Sequence, residues 1–586
     1  MSKHSLCVWI ACLLVCKFSH GQSTATFKWW NPANSDATVI EGQGWPKQVA
    51  LPYDRFPARA EKMVRKAVWD LSRDAAGLVI RFLTNAPEIK VRYGVSGGLS
   101  MPHMPSTGVS GVDLYAVDKN GAWNWSGGSY HFGDTITYDY KALPEDYTRE
   151  YHLYLPLYNQ VTWLEIGVPQ GSEFQPMEVP ADKPIVIYGT SIAQGGCASR
   201  PGMAWTAILG RRLHDPVINL AFSGNGRLED PVTGLLTELD AKVFVLDCLP
   251  NLGGFPTDTV AHRLERTVNT LRSRKPETPI VIVEHADASI HSLNLDRNTT
   301  FTRVNQIADS VFARLKSAGI NQLYLLSADE IGLDEQSTVD GVHPGDYGMM
   351  QYALAYEKAL RRILHEPVGS SPTMQPCRQY RDQTYDWYSR HRKILALVSH
   401  EAPEVVLIGN SITHYWGGLP EAPIRRGEDS WQQSFAAYRT ANLGYGWDRV
   451  ENVLWRIYHG ELDGYKARQV ILMIGTNNLG LSTDQQILDG IALLLRQIRL
   501  RQPQAEILLQ GIYPRRGKEA WVLQMNGRLA RLAGDANVTY VDPGAGLLTS
   551  EGKINDAFFE KDGLHPNGNG YRALAKRLQP YLPAGR

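Results

Sequence analysis

The chain has 586 residues, which is too long for a single hydrophobic core and predicts several domains. Its hydrophobic content of 43% and charged content of 20% are those of a globular protein and exclude a largely disordered chain. Lysine and arginine number 60 and are balanced by 60 acidic residues, so the overall charge provides no attraction to nucleic acid, which we do not expect as a partner.

Residues 1–22 have the pattern of a cleaved secretory signal. A basic start precedes an apolar run over residues 6–15, which is too short to span a bilayer. No later segment reaches the necessary length, so we expect a secreted or periplasmic protein without a membrane span. A lipid-modified Cys16 is the weaker alternative, because Val15 is larger than the residue expected before a lipidated cysteine.

Residues 23–180 alternate with period two, as strands with one buried face do. The clearest examples are LVIRF (78–82), EIKVRYGV (88–95), GVDLYAV (111–117) and EYHLYLPLY (150–158). Asn120 and Gly121 together form a strong hairpin-turn signal between two such runs. Many short strands with little helix between them predict a β-sandwich or jelly-roll domain.

The role of this β-rich domain has two interpretations. It is either a packing and spacing domain, since aromatic residues usually belong to a core, or a domain that takes part in substrate binding. The second interpretation includes carbohydrate binding and a contribution to the rim of an active site. It is suggested by five tryptophans, Trp29, Trp30, Trp45, Trp123 and Trp125.

From residue 181 the alternation gives way to short apolar runs separated by helical patterns. The first series contains PIVIYG (184–189), PVINLAF (216–222), KVFVLDCL (242–249) and PIVIVEH (279–285). After a linker and leading helix over 367–395, a second series contains EVVLIG (404–409), QVILMIG (469–475), AEILLQG (505–511) and VTYVDP (538–543). Strand and helix in alternation predict two α/β domains with flavodoxin-like parallel sheets, at 181–366 and 396–586, which form a divergent internal repeat.

The first apolar strand of each α/β domain runs into a serine, Ser191 in IVIYGTSIAQGG and Ser411 in VVLIGNSITHYW. A Gly-x-Ser turn at the carboxyl end of a parallel strand exposes the hydroxyl where such folds bind ligands. The following helix directs its N-terminus, with free N–H groups, toward that hydroxyl. Each serine is therefore a candidate nucleophile, although Gly-x-Ser also commonly caps a helix.

The motif Asp-Gly-aliphatic-His-Pro occurs once in each α/β domain, as DGVHP and DGLHP. It places His343 and His565 at nearly the same distance along the chain from the two serines. A hydrolytic serine needs a base to take its proton, and histidine is the usual one near neutral pH. Asp340 and Asp562, three residues earlier, can accept a hydrogen bond from the other ring nitrogen and orient the ring. The pattern predicts two serine–histidine–aspartate sites.

Two further repeated elements lie between serine and histidine and suit the stabilisation of an oxyanion. NLAFSGNG (219–226) and NLGYGWDR (442–449) follow strands and are rich in glycine, as loops that present backbone N–H groups are. DCLPN (247–251) and GTNN (475–478) end later strands with asparagine, whose side chain can donate an N–H.

With these ordered motifs both domains resemble SGNH (GDSL-type) hydrolases, whose site contains the serine, a glycine, an asparagine and a terminal Asp-x-x-His. The second domain, through NVLWRIYHGEL, VILMIGTNN and LLQGIYPRRG, is also similar to the catalytic subunits of platelet-activating-factor acetylhydrolase. The resemblance covers most of 181–365 and 380–586 and is thin over the β-rich region.

The resemblance implies a role for each matching residue. Nucleophile, base and orienting acid fall on Ser191, His343 and Asp340 in the first domain and on Ser411, His565 and Asp562 in the second. The oxyanion glycine falls on Gly224 in the first domain and on Trp447 in the second, where the side chain would intrude on the site. The third donor is Asn477 in the second domain. A gapless alignment places Pro250 opposite it, and we choose the neighbouring Asn251 because proline has no N–H.

Three cysteines, Cys197, Cys248 and Cys377, follow the predicted signal, too few for a disulfide scaffold. Cys197 and Cys248 lie in loops expected to converge at the first site. They either form a disulfide that braces these loops or are two buried free thiols. No CxxC motif or His/Cys cluster indicates a metal, and we expect no cofactor.

The expected reaction is ester hydrolysis through an acyl-serine intermediate. We predict a carbohydrate O-acetylesterase whose substrate is an acetylated oligo- or polysaccharide, such as xylan, mannan or pectin, or acetylated sialic acid. The first alternative is a short-chain lipid or phospholipid acylhydrolase. The second keeps one α/β domain active and uses the other as a sugar-binding module.

Overall fold

The computed structural model describes residues 26–286, 295–380 and 384–584. The predicted secretory signal over residues 1–22 lies outside the described residues. Within the described ranges, no helix combines the length and apolar character needed to cross a membrane.

The N-terminal domain consists mainly of antiparallel strands. They are β1 (Phe27–Trp30), β2 (Ile40–Glu41), β3 (Val79–Thr84), β4 (Glu88–Val95), β5 (Asp113–Val117), β6 (Trp123–Ser126), β7 (Ser129–His131), β8 (Ile136–Lys141), β9 (Arg149–Tyr154), β10 (Val161–Pro169) and β11 (Phe174–Pro176), with short helices α1 (Lys66–Ser72) and α2 (Ser106–Val109). One sheet has the order β1-β10-β4-β8-β7 and the other β11-β3-β9-β5-β6, with β2 beside β3. Alternate residues of both sheets, such as Ile80 and Leu153 in one and Val91 and Ile166 in the other, share one hydrophobic cluster. This shared cluster holds the two sheets together.

The first α/β domain has one parallel sheet. Its elements are β12 (Ile185–Gly189), α3 (Ser191–Gln194), α4 (Trp205–Leu213), β13 (Val217–Ala221), α5 (Asp230–Leu236), β14 (Val243–Asp247), α6 (Thr257–Arg274), β15 (Ile280–Val283), α7 (Leu295–Ser317), β16 (Leu323–Leu326), α8 (Ala328–Ile331) and α9 (Asp346–Ile363). The order β13-β12-β14-β15-β16 places the first strand beside the second and third, as in flavodoxin. Successive residues of β12 contribute to hydrophobic clusters on opposite faces, which explains its continuous apolar run.

The second α/β domain repeats this arrangement. Its elements are α10 (Trp387–Glu401), β17 (Val405–Gly409), α11 (Ser411–His414), α12 (Glu428–Phe435), β18 (Thr440–Gly444), α13 (Val450–Tyr458), β19 (Gln469–Met473), α14 (Asp484–Arg501), β20 (Glu506–Gln510), α15 (Glu519–Asp535), β21 (Thr539–Val541) and α16 (Gly568–Leu578). The sheet order β18-β17-β19-β20-β21 equals that of the first domain. In both domains the first strand ends at the topological switch point, where such sheets bind ligands.

A buried ion-pair network joins the two α/β domains. His391 on α10 is fully buried, with Nδ1 2.8 Å from Glu461 Oε1 and Nε2 3.3 Å from Asp182 Oδ1. Burial acts to lower the pKa of His391, but the hydrogen bonds to the two carboxylates outweigh it and raise the pKa to about 9. The ring is therefore a buried cation between the carboxylates of two domains.

Candidate active site

In the first α/β domain, the predicted serine, histidine and aspartate are joined by hydrogen bonds at the carboxyl end of the sheet. Ser191 is the first residue of α3, and its hydroxyl donates to Nε2 of His343 over 2.7 Å. Nδ1 of His343 donates to Oδ2 of Asp340 over 2.8 Å. Ser191 is only 8% exposed, so its hydroxyl is recessed below the surface.

The second α/β domain contains the same arrangement. Ser411 is the first residue of α11, and its hydroxyl donates to Nε2 of His565 over 2.9 Å. Nδ1 of His565 donates to Oδ2 of Asp562 over 2.7 Å. Two hydrogen-bonded sets with the geometry of a serine, base and orienting acid therefore exist in one chain.

The glycine of each Asp-Gly-x-His motif permits the turn that brings aspartate and histidine together. Gly341 has a φ of 85° and Gly563 a φ of 64°, in the left-handed region that favours glycine. In the first copy the N–H of Val339 donates to the carbonyl of His343 over 2.8 Å and closes the turn. The spacing of the motif therefore follows from the backbone conformation that the turn requires.

Both aspartates are ionised near neutral pH. Partial burial acts to raise the pKa of Asp340, but hydrogen bonds from the backbone and ring of His343 outweigh it, and the pKa is lowered. The pKa of Asp562 is also lowered, because the bonds from His565 outweigh the effect of burial. Each carboxylate can therefore stabilise the imidazolium that forms when the histidine takes a proton.

The third residue after each serine anchors the glycine-rich loop, a role that the sequence did not indicate. Oε1 of Gln194 accepts from the N–H of Ser223 over 2.9 Å, and Nδ1 of His414 accepts from the N–H of Gly446 over 3.1 Å. Burial is the main cause that lowers the pKa of His414 to about 2, so the ring stays neutral and Nδ1 remains an acceptor. Each loop is thus fixed to the helix that carries the serine.

Gly224 and Trp447 occupy equivalent places, one residue after these anchored N–H groups. Their φ angles are 67° and 61°, so both adopt the left-handed conformation. Within the described ranges the backbone N–H groups of Gly224 and Trp447 find no acceptor, and neither do those of Ser191 and Ser411. Free backbone donors beside a serine hydroxyl are what an oxyanion hole requires.

Strand pairing decides which residue of the first domain corresponds to Asn477. The glycine two residues before each serine pairs with Asp247 of β14 in the first domain and with Met473 of β19 in the second. Asn251 and Asn477 each lie four residues beyond that partner, so they are equivalent, whereas Pro250 is not the counterpart.

Both asparagine side chains are tied to the glycine-rich loops. Oδ1 of Asn251 accepts from the N–H of Gly226 over 3.1 Å, and Nδ2 of Asn477 donates to the carbonyl of Asp448 over 3.0 Å. An amide nitrogen carries two hydrogens, so Asn477 keeps one N–H available. Nδ2 of Asn251 has no hydrogen bond among the residues that the structure describes. Each asparagine can therefore donate to a developing oxyanion.

Two arginines that sequence reasoning missed cover the outer edge of each sheet. β13 and β18 are edge strands, so their outward carbonyls lack a neighbouring strand. Arg55 of the N-terminal domain donates to two carbonyls of β13, including that of Asn219 at 2.9 Å. Arg390 of α10 donates to two carbonyls of β18, including that of Asn442 at 2.8 Å. No local motif marks these arginines, because they are far from the strands in sequence.

The N-terminal domain reaches the first site. The hydroxyl of Tyr158 donates to the carbonyl of Ser191 over 3.2 Å. The ring of His103, which is exposed, lies 6.0 Å from the ring of His343. The rim of the first site therefore includes residues of the N-terminal domain, whereas the sequence offered only its tryptophans as candidates.

The five tryptophans that the sequence suggested for substrate binding lie in different environments. Trp45 is buried in a core that includes the first α/β domain, and Trp29, Trp30 and Trp123 are half-buried. Trp125 is 54% exposed, and its indole N–H is held by a hydrogen bond to a buried carboxylate. Of the five, Trp125 alone presents a largely exposed ring.

Cys197 and Cys248 are free thiols, so the disulfide alternative is wrong. Cys197 packs with Ile187 on one face of the sheet, and Cys248 packs with Tyr188 on the other. The Sγ of Cys248 donates to the carbonyl of Tyr188 over 3.4 Å. The sheet lies between the two thiols, which explains why they do not pair although their loops converge.

Three models of known protein families match this chain, one in each of its three domains. A family model of GDSL-like lipases and acylhydrolases matches residues 182–361, and a second model with the same description matches 407–573. A model described as the N-terminus of SGNH-hydrolase-type esterases matches 27–174.

Individual relatives belong to the same group. Platelet-activating factor acetylhydrolase IB subunit alpha2 from Homo sapiens is 30% identical over 203 residues, which are 33% of this chain and 83% of that protein. The alpha1 subunit from Homo sapiens is also 30% identical over 203 residues and is covered to 82% of its length. A crystal structure of a GDSL-like lipase from Bacteroides ovatus is 31% identical with a TM-score of 0.54, covering 58% of this chain and 98% of that one. The chain therefore belongs to the GDSL-like, or SGNH, family of ester hydrolases and carries two domains of that family in tandem.

Proposed function

We propose that this protein is an exported serine esterase that removes O-acetyl groups from carbohydrates at two separate sites. The observation that carries the proposal is the duplicated hydrogen-bonded set of serine, histidine and aspartate. Beside each set lie backbone N–H groups that have no acceptor within the described ranges.

In the first site, His343 takes the proton of Ser191 while Oγ attacks the ester carbonyl, and Asp340 stabilises the resulting imidazolium. The backbone N–H groups of Ser191 and Gly224 and the side-chain amide of Asn251 stabilise the tetrahedral oxyanion. His343 then protonates the leaving sugar oxygen, and the acetyl-serine remains. The same histidine activates a water molecule that hydrolyses this ester and releases acetate.

In the second site, Ser411, His565 and Asp562 have the corresponding roles. Its oxyanion donors are the N–H groups of Ser411 and Trp447 together with the side chain of Asn477. The two sites therefore share one mechanism and differ in the residue at the position of Gly224.

Three features support acetylated carbohydrate as the substrate. The predicted secretory signal would place the protein where polysaccharides occur. The sequence has no lid-like apolar segment of the kind that would cover a long acyl chain. We also interpret the two-sheet N-terminal domain as a β-sandwich that helps to hold a glycan, because it reaches the first site and exposes Trp125.

A short-chain lipid or phospholipid acylhydrolase is the second candidate. It is favoured by the similarity to subunits that are named platelet-activating factor acetylhydrolase. In a third arrangement, only one α/β domain is active and the other binds sugar without hydrolysing it.

Acetate release from acetylated xylan, mannan and pectin, measured for the wild type, Ser191→Ala, Ser411→Ala and the double variant, tests these candidates. We expect each single variant to retain the activity of the other site and the double variant to lose activity. Activity that persists in the double variant would contradict the serine assignments. A single variant that loses all activity would show that only one site is catalytic.

Substrate choice and export need separate measurements. Hydrolysis of platelet-activating factor or short-chain phosphatidylcholine without hydrolysis of acetylated glycans would favour the lipid alternative. N-terminal sequencing of protein recovered from the medium or periplasm tests cleavage near residue 22. Protein that stays in the cytoplasm with an intact N-terminus would contradict export.

A further inference from the structure

Trp447 and Gly224 occupy the same position of the fold in the two α/β domains. Each follows a loop N–H that is fixed to the helix of its serine. Each has a left-handed backbone, with a φ of 67° at Gly224 and 61° at Trp447. Glycine adopts this conformation without strain, whereas a bulky residue adopts it rarely. The second site therefore keeps a tryptophan at a position where the backbone itself favours glycine.

The neighbours of Trp447 hold it in that conformation. The carbonyl of Gly446 accepts from Nε2 of Gln379 over 2.9 Å and from the hydroxyl of Tyr385 over 3.1 Å. On the other side, the carboxylate of Asp448 is buried and accepts from the indole N–H of Trp387 over 2.7 Å. The hydrogen bonds of Gly446 and Asp448 thus fix the backbone from which the Trp447 side chain projects.

The backbone on both sides of Trp447 is bonded to residues of the second site. The N–H of Gly446, before Trp447, donates to His414, which lies three residues after Ser411. The carbonyl of Asp448, after Trp447, accepts from Asn477. A Cβ at the equivalent Gly224 would have no atom within 4 Å, so this position faces open space. The indole itself is 56% exposed. A large aromatic surface is therefore open to solvent on the loop that is bonded to the helix of Ser411.

The chemistry of such a surface suits a sugar ring. A pyranose has a face of C–H groups and a rim of hydroxyl groups, so it can bury the former on the indole while the latter stay hydrated. A long acyl chain would instead need an enclosed apolar groove to remove most of its surface from water. An exposed flat ring thus favours the carbohydrate part of an acetyl ester over a long acyl part.

On this basis we propose that the indole of Trp447 is a sugar-binding subsite of the second site, which the first site lacks because Gly224 stands there. The subsite holds the sugar ring that carries the acetyl group, and its backbone N–H serves the oxyanion independently of the side chain. This proposal rests on the proposed esterase function. It follows that the two sites differ in their preference for ring-bearing acetyl esters.

The full chain with Ser191→Ala isolates the second site. In this background, kcat/KM is measured for an acetylated xylo-oligosaccharide and for ethyl acetate, which has no ring, with Trp447, Trp447→Gly and Trp447→Phe. We expect Trp447→Gly to lower the ratio of kcat/KM for the glycan to kcat/KM for ethyl acetate about tenfold. A tenfold change corresponds to the free energy of one aromatic packing contact. The change should come mainly from a higher KM for the glycan. Trp447→Phe keeps a flat ring and should retain most of the ratio.

The first site provides the matched control. In the Ser411→Ala background, Gly224→Trp should raise the same ratio at the first site, whereas Gly224→Ala should not. Equal loss of both substrates in Trp447→Gly would overturn the subsite while leaving the esterase function in place. Ethyl acetate hydrolysis by the Ser191→Ala, Ser411→Ala double variant would instead contradict the esterase mechanism itself.

Discussion

Arg55 and Arg390 make the same contact in the two hydrolase domains, although they come from unrelated parts of the chain. Arg55 belongs to the N-terminal domain, and Arg390 lies on α10 before the second α/β sheet. Each guanidinium is buried and donates to two carbonyls of an edge strand, at Asn219 and Ala221 in the first domain and at Asn442 and Gly444 in the second. Because these strands lead into the glycine-rich loops, each arginine supports one site.

Replacing either arginine should therefore impair only the site that it supports. Arg55→Met leaves two buried carbonyls of β13 without a donor, at a cost of about 1–3 kcal/mol for each. We expect lower acetate release from the first site, measured in the Ser411→Ala background, and a lower unfolding temperature. Arg390→Met should have the corresponding effect on the second site in the Ser191→Ala background. If both variants reduced both sites equally, the separate support would be refuted.

Asp340→Asn and Asp562→Asn should each lower kcat of their own site by about 10²- to 10⁴-fold with little change in KM. The asparagine amide donates to Nδ1 and stabilises the tautomer in which Nε2 carries the proton, so the histidine cannot accept from the serine. The measurement is acetate release with the other serine replaced by alanine. Unchanged kcat in either variant would show that the aspartate does not orient the base.

The buried His391 should make stability depend on pH above neutrality. The pKa of His391 is raised from 6.5 to about 9 because Asp182 and Glu461 bind the charged ring. The folded state holds this proton more tightly, so the stabilisation is complete below pH 6.5 and is lost as the pH rises through 9. The shift corresponds to about 3 kcal/mol.

Thermal unfolding of the wild type and of His391→Gln between pH 6 and 9.5 checks this expectation. The difference in midpoint should be largest at pH 6 and should shrink as the pH rises. A difference that is constant over this range would mean that the ring is neutral in the folded protein.

Asp247 should make stability depend on pH in the acidic range. It is buried at the end of β14, accepts from the hydroxyl of Tyr356 over 3.0 Å, and burial raises its pKa to about 7. The folded state therefore favours the protonated form, and the stabilisation present below pH 4 is lost as the pH rises through 7. The resulting penalty above pH 7 is about 4 kcal/mol at most.

Asp247→Asn removes this penalty because the amide is neutral and its oxygen still accepts from Tyr356. We expect the variant to be more stable than the wild type at pH 8 and equally stable near pH 4, as measured by denaturant unfolding. Equal differences at both pH values would refute the assignment of the ionisation to Asp247.

Short motifs allowed the central part of each site to be predicted from the amino-acid sequence. Asp340 and His343 are three residues apart, and a glycine between them permits the turn, so their contact is encoded locally. Ser191 follows a continuous apolar strand, which indicates that it lies at the carboxyl edge of a parallel sheet. The repetition of these motifs in the second domain indicated two sites of one kind.

Other features depend on contacts between distant segments and needed the tertiary structure. The gapless alignment placed Pro250 opposite Asn477, and we chose Asn251 only because proline has no N–H; strand pairing in the two domains shows that Asn251 is the counterpart. Likewise, Cys197 and Cys248 lie in converging loops, but the sheet lies between them and excludes a disulfide. In both cases the outcome depends on strand register and sheet faces, which a single sequence does not contain.

The amino-acid sequence alone therefore identifies the serine, histidine and aspartate of each site, because local turns and strand ends determine where these residues lie. It does not specify what supports them. Arg55 and Arg390 bond the edge strands, and Tyr158 reaches the first site, from segments whose positions are defined only when the domains pack. The left-handed backbone of Trp447 has the same origin, since it is held by hydrogen bonds from residues remote in sequence.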